Sequence, residues 1–194
     1  MQEAKQPGKA PNERECLALL AKYGAQPTVV AHSKVVARAA KAIAQALAKR
    51  GAEISVELVF AAALLHDIAK LEKDGKGGWK PQHDHARKGA QILRKEGLPE
   101  IALIAERHVA EPGDSMPQTW EDKVVFYCDK RVEWDKLVSI EERFAALKRR
   151  YGHIAGAVER LDAVLPLVKK VEKTLFEKIG RKPEELEEMM KQQE

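Results

Sequence analysis

Apolar positions along the chain repeat with a helical period almost from end to end. A first helix is expected from Asn12, a good N-cap residue, to just before Gly24. After Pro27 a long periodic segment runs to about Arg50. Its apolar stripe is Val35, Val36, Ala39, Ile43, Ala46 and Leu47, and Gly51 closes it. Ser55 caps a third helix with Leu58 as its first strong core residue, stopping near Lys70 or Leu71. Glu72 to Gln82, with three glycines, several lysines and Trp79, reads as a long loop. A fourth helix covers Asp84 to Glu96. Pro99 opens a fifth, whose Ile101, Ile104 and Ala105 lead to His108. Glu111 to Thr119 is loop, and a sixth helix is expected over Trp120 to Lys136. Ser139 caps the next, with Ile140, Phe144, Leu147 and Tyr151 on one face. Ile154 to Ile179 is helical again, with Pro166 forcing a break or kink, and Pro183 starts a short charged helix.

No segment makes a convincing strand, so the pattern predicts an all-α protein. The expected organisation is a flexible leader over 1–11, a compact helical domain over 12–136, and a helical extension over 137–194 packing on that domain. Composition agrees. The 194 residues are 44% apolar but only 5% aromatic, a mixture that favours helices over sheets. The net charge of +4 comes from 34 basic and 30 acidic residues, interspersed rather than blocked. No basic stripe with interleaved aromatics appears, so nucleic acid is disfavoured as a partner. Cys16 and Cys128 match no zinc or redox spacing, which points to a reducing compartment. The N-terminal text lacks a secretory apolar region. The longest nearly apolar run, Val56 to Leu65, is far shorter than a bilayer needs. A cytoplasmic protein with no membrane partner is expected, and a homo-oligomer is left open.

Five residues or pairs then stand out: His32, His66-Asp67, His85, His108 and Asp129. Each lies at or near the end of a different predicted helix. His32 shares a face with Val35, Val36, Ala39 and Ile43, and His66 with Val59, Ala62 and Ala63. His108 follows Ile101, Ile104 and Ala105, and Asp129 lies between Val125 and Val132. One inward histidine is more often a hydrogen-bonded core residue than a ligand, and Asp129 alone could pair with Lys130 or Arg131. Four histidines and two aspartates recurring on successive helices are better explained together, by a common metal centre. A carboxylate can bridge two cations and an imidazole cannot, so Asp67 is the natural bridge.

The order His32, His66-Asp67, Asp129 resembles the HD superfamily of metal-dependent phosphohydrolases. Ala61-Ala62-Ala63-Leu64-Leu65-His66-Asp67-Ile68-Ala69-Lys70 is similar to that family's core motif. His32-Ser33-Lys34-Val35-Val36-Ala37-Arg38 resembles its first-histidine helix. The likeness covers about Pro27 to Lys136. His85, with Gly89 and Ala90 after it, and His108 resemble the added histidines of the two-metal subgroup. The layout is similar to bacterial HD-type symmetrical diadenosine tetraphosphate hydrolases, with departures at Thr28-Val29-Val30-Ala31 and Val109-Ala110-Glu111-Pro112.

The resemblance implies one metal held by His32, His66, Asp67 and Asp129, and a second by Asp67, His85 and His108. Two divalent ions about 3.5–4 Å apart would share a hydroxide that attacks a phosphoester or phosphoanhydride of a nucleotide or other small phosphorylated metabolite. An imidazole-rich centre suits Fe, Mn, Co, Ni or Zn better than magnesium. Asp67 and Lys70 are the catalytic candidates, Lys70 by neutralising a phosphate or the leaving oxygen. Lys70, Arg87 and Arg131 are the candidates for holding substrate, and Arg107 also adjoins a ligand. For each arginine the plain alternative is a solvated side chain. His83 and Asp84 could support the centre or merely lie in the loop. Lys73, Lys76, Trp79 and Lys80 could form a lid, with Trp79 stacking on a base. Two other classes stay open: a di-iron oxygenase using the same ligands, and a metal-loaded binding or regulatory module that turns nothing over.

Overall fold

The computed structural model describes residues 10–73, 79–81, 84–109 and 117–192. Helix α1 (Glu13–Lys22) begins at a capping box in which Asn12 accepts from the Glu15 backbone and Glu15 from the Asn12 backbone. Proline opens α2 (Pro27–Lys49), where its missing N–H costs nothing. Its buried face is built largely of alanine, with Val36, Ile43 and Leu47 between. Small side chains let neighbours approach closely, and α2 packs against α3 (Val56–Leu65), α6 (Trp120–Asp129), α8 (Ala157–Ile179) and α9 (Leu186–Lys191). The third helix is apolar on nearly every side, with Val59 and the whole run from Ala61 to Leu65 buried. It is the central rod of the bundle.

Helices α4 (His85–Lys95) and α5 (Pro99–Arg107) form a hairpin, and α5 also packs on α3. Helix α6 (Trp120–Asp129) starts at a second capping box, Thr119 with Asp122. Beyond it lie α7 (Ile140–Tyr151), α8 (Ala157–Ile179), a 3-10 turn at Pro183–Glu185, and α9 (Leu186–Lys191). The α8 and α9 helices cover α2, and α8 also covers α6. The all-α expectation holds. Among the described residues no helix is long and apolar enough to cross a membrane.

Three expectations are corrected. Helix α6 stops at Asp129 instead of reaching Lys136. The chain turns into an antiparallel hairpin, β3 (Val132–Glu133) with β4 (Lys136–Leu137), closed by the Val138 N–H donating to the Arg131 carbonyl at 2.8 Å. Trp134 and Asp135, which a helical period absorbs easily, form its two-residue turn. The segment read as a loop carries a second short pair, β1 (Leu71–Lys73) with β2 (Trp79–Pro81); these are numbered before β3 in chain order. Finally, of the break or kink expected at Pro166, no break occurs: α8 continues through it. Pro166 and Asp162 are exposed, so water can satisfy the carbonyl that the proline leaves unpaired.

Candidate metal centre

All six candidate ligands meet in one buried pocket. His66 and His108 occupy equivalent local positions, each the C-cap of its helix. A helix end leaves carbonyls without an N–H partner. Each histidine uses one: the Nδ1–H of His66 donates to the Ala63 carbonyl at 2.7 Å, and that of His108 to the Ala105 carbonyl at 2.5 Å. These bonds orient the rings and turn both Nε2 atoms toward the pocket. His32, near the start of α2, is held in the same way from elsewhere, its Nδ1–H donating to the Trp134 carbonyl at 2.8 Å.

The carboxylates sit among these rings. Asp67 places Oδ1 at 3.3 Å from His85 Nε2 and 3.4 Å from His108 Nε2. Its Oδ2 lies 3.4 Å from His66 Nε2. Asp129, the last residue of α6, has Oδ1 at 3.1 Å from His32 Nε2 and 3.7 Å from His66 Nε2. His85 and His108 approach to 3.3 Å between their Nε2 atoms. Two triads have ligand atoms close enough to hold a metal ion, His32-His66-Asp129 and His66-Asp67-His108. The Nε2 of His66 is fully buried with no hydrogen-bond partner among the described residues. Burying a polar atom unpaired is costly. An ion at the point where the rings converge removes that cost, so the donor set fits a divalent metal.

The electrostatics have the same cause. Burial by itself would raise the Asp67 and Asp129 pKa values. Their partners win: the charges of Lys70 and His66 hold Asp67, and the Lys130 charge with a hydrogen bond to His32 holds Asp129, well below the usual carboxylate range. Burial would lower His66, but Asp67 and Asp129 push it up to about 10. His85 goes the other way, down to about 3, through burial and the neighbouring Lys70 charge.

The proposed substrate cations divide. Lys70, half-buried, has its Nζ 3.4 Å from Asp67 and 3.2 Å from His85 Nε2. It stands at the rim of the pocket. Arg131 does not. Its Nε donates to the Val138 carbonyl at 2.6 Å. Its Nη1 bonds to the Tyr127 hydroxyl and lies 3.6 Å from Glu172 Oε2 on α8. It is buried against the C-terminal helices, and the expectation that it clamps substrate is corrected. Arg131 and its neighbour Lys130 both lie in the turn that follows the end of α6, where the chain changes direction, so the two side chains part. Arg87 is exposed and paired with Asp84 at 2.7 Å, and Arg107 is bonded to the buried Asp122 at 2.9 Å. The side chains of Lys73, Lys76, Trp79, Lys80 and His83 lie outside the described residues.

Two groups at the centre escape a reading of the sequence as ligands alone. The sequence offers Lys130 as a plain partner for Asp129. It does bond Asp129 Oδ2, at 2.7 Å, and it also donates to the His108 carbonyl at 2.9 Å. One ammonium group thereby ties two ligand-bearing segments together. The Trp134 carbonyl that orients His32 is a backbone group, which no side-chain motif announces.

Comparison with known families settles membership. The HD domain family model matches residues 29–133, a span that contains all six of these side chains. The chain belongs to the HD-domain family. Among curated proteins, this HD protein is 33% identical over 147 residues to an uncharacterized protein of Methanocaldococcus jannaschii, covering 69% of the chain and 83% of that relative. It is 34% identical over 146 residues to a tRNA (cytidine(56)-2'-O)-methyltransferase of Thermoplasma volcanium, and 27% identical over 160 residues to the protein of the same name from Picrophilus torridus. Those alignments cover 68% and 75% of this chain but only 40% and 43% of the two methyltransferases, so the HD protein spans less than half of their length. No solved structure matches.

Proposed function

We propose that this HD protein is a metal-dependent phosphohydrolase acting on a phosphoester or phosphoanhydride of a nucleotide or small phosphorylated metabolite. The observation that carries this reading is the unpartnered Nε2 of His66, aimed into a pocket where two carboxylates and three further imidazoles converge. His32, His66, Asp67 and Asp129 would hold one divalent ion, and Asp67, His85 and His108 a second, with Asp67 between them. The imidazole-rich set favours Fe, Mn, Co, Ni or Zn. Bound there, such ions supply Lewis acidity and an activated water.

The chain's own groups supply the rest. Main-chain carbonyls lock the rings of His32, His66 and His108, so the donors are set before substrate arrives. Lys130 neutralises one oxygen of Asp129 and leaves the other turned to the pocket. Lys70 presents a positive charge at the rim, 3.4 Å from the bridging carboxylate, where it can meet a phosphate oxygen.

Elemental analysis of the purified protein, joined to a screen of nucleotides, dinucleoside polyphosphates and phosphomonoesters, tests the proposal. Asp67→Ala is expected to lose most bound metal and all hydrolysis while keeping its helical circular dichroism. Hydrolysis persisting in that variant refutes the mechanism. Oxygen consumption by the iron-loaded protein without phosphate release would instead favour an oxygenase.

A second reading has one observation behind it, the two relatives named as tRNA methyltransferases. In this reading the HD region serves a protein that acts on tRNA, and its phosphate-binding centre meets an RNA end. Methyl transfer itself is not carried over, because more than half of each of those proteins lies outside the shared region. A short RNA added to the screen separates the two.

A further inference from the structure

Trp134 is out of place by every local rule. Among the described residues it is the one non-glycine with positive φ, at 57°. It takes the first position of the two-residue β3–β4 turn, where the left-handed backbone normally selects glycine. A bulky side chain there carries strain, which persists only where the surroundings hold it. Trp134 is also the most exposed large apolar side chain described, at 61%. A strained, solvent-facing indole gains nothing for the fold.

Its position gives the reason. The Trp134 carbonyl holds His32 Nδ1, so the turn backs one of the rings that line the metal pocket. The Arg150 guanidinium, fixed by an ion pair with Glu133, stacks on the indole at 4.5 Å from the ring centre and lies 5.8 Å from the Tyr151 ring. Tyr151 is half-buried. One turn therefore carries both the backbone group that orients a histidine of the pocket and the exposed indole, with Arg150 against that indole and beside Tyr151. Arg150 and Tyr151 belong to α7, outside the matched region of 29–133.

We infer that Trp134, backed by Arg150 and flanked by Tyr151, is a stacking platform for the nucleobase of a nucleotide whose phosphate lies in the His/Asp pocket. The inference deepens the phosphohydrolase proposal and rests on it. The ring supplies a π-face and Arg150 a cation behind it, a combination that binds bases without reading their edges. Broad base tolerance with a strict need for some base follows.

The experiment uses the full chain with metal bound, as wild type, Trp134→Gly and Trp134→Phe. Glycine removes the indole and also relieves the backbone, so its Tm should equal or exceed that of wild type and misfolding cannot mimic the effect. In Trp134→Gly, kcat/KM for AMP relative to ribose 5-phosphate should fall about tenfold, carried by KM, with Phe recovering part of the loss. AMP should quench tryptophan fluorescence in wild type but not in the glycine variant, a readout that needs no turnover. Quenching without hydrolysis of any phosphate would keep the platform and retire the hydrolase. Hydrolysis with an unchanged AMP to ribose 5-phosphate ratio would retire the platform and keep the hydrolase. A loss confined to a short RNA, with AMP unaffected, would also overturn the nucleotide assignment.

Discussion

Replacing Arg131 with methionine separates an anchor of the C-terminal helices from a phosphate clamp. In the structure its guanidinium donates to the Val138 carbonyl at 2.6 Å and to the Tyr127 hydroxyl, and faces Glu172 at 3.6 Å. Tyr127 in turn donates to the same glutamate at 2.7 Å. Methionine retains the aliphatic stem and removes every donor. Hydrogen bonds from a charged group are worth about 1.5–3 kcal/mol each, and stripping one partner from a buried ion pair costs about 3–5 kcal/mol. Glu172 is 22% exposed and can recover some water, which pulls the total to the lower end. A loss of about 3 kcal/mol is expected, lowering Tm by about 6–12 °C in a chain of this size. Thermal denaturation followed by circular dichroism reads it. A double-mutant cycle with Tyr127→Phe should show a coupling of about 1 kcal/mol, since the two groups share one network. KM for any substrate, measured well below the new Tm, should stay within about twofold. A variant with unchanged Tm but a KM raised tenfold would refute the assignment and make Arg131 a substrate ligand after all.

Four further outcomes follow from the same geometry. A Cβ on Gly89 would meet Ile68 Cγ2 at 3.3 Å, beside the backbone of His66 and one turn from His85. Gly89→Val should cost about 1–3 kcal/mol and lower the metal-to-protein ratio, and wild-type stability with full metal loading would contradict the tight α4 packing. Lys70→Ala should reduce kcat without changing metal content in elemental analysis, and an equal loss of metal would make the lysine structural. Burial pushes the Cys16 thiol up to about 12 and raises Cys128 and Tyr127 as well. The folded protein therefore keeps protons that the unfolded chain gives up above the ordinary thiol value of 9.0. That stability is complete below about pH 9 and is lost as the pH climbs towards 12, so urea midpoints should fall between pH 8 and pH 10.5. Both thiols should resist Ellman's reagent at pH 8 until urea is added, and rapid labelling of the native protein would contradict their burial.

Much of the centre was legible in the residues alone. A helical period assigns each residue to a face of its own element. Where a histidine or aspartate shares that face with valine, alanine and leucine, it must point inward. That argument reached His32, His66, His108 and Asp129 without coordinates; Asp67 came with the His66-Asp67 doublet and His85 from the resemblance to the two-metal subgroup, and the structure brings all six together. The same period failed at the end of α6. Val132, Trp134 and Leu137 fit a continued helix as well as a hairpin, and the choice was made by a bond from Val138 back to Arg131.

What sequence settled was therefore local: the helices, their inward faces and the chemical types those faces carry. Tertiary structure decided every question of partner. His32 meets Asp129 across 97 residues and the Trp134 carbonyl across 102. Arg131 turns to the C-terminal helices while Lys130, its neighbour, turns to the metal pocket. Periodicity is a property of one element's own geometry. Which groups meet across elements depends on how those faces pack in three dimensions, and that exists only once the whole chain has folded.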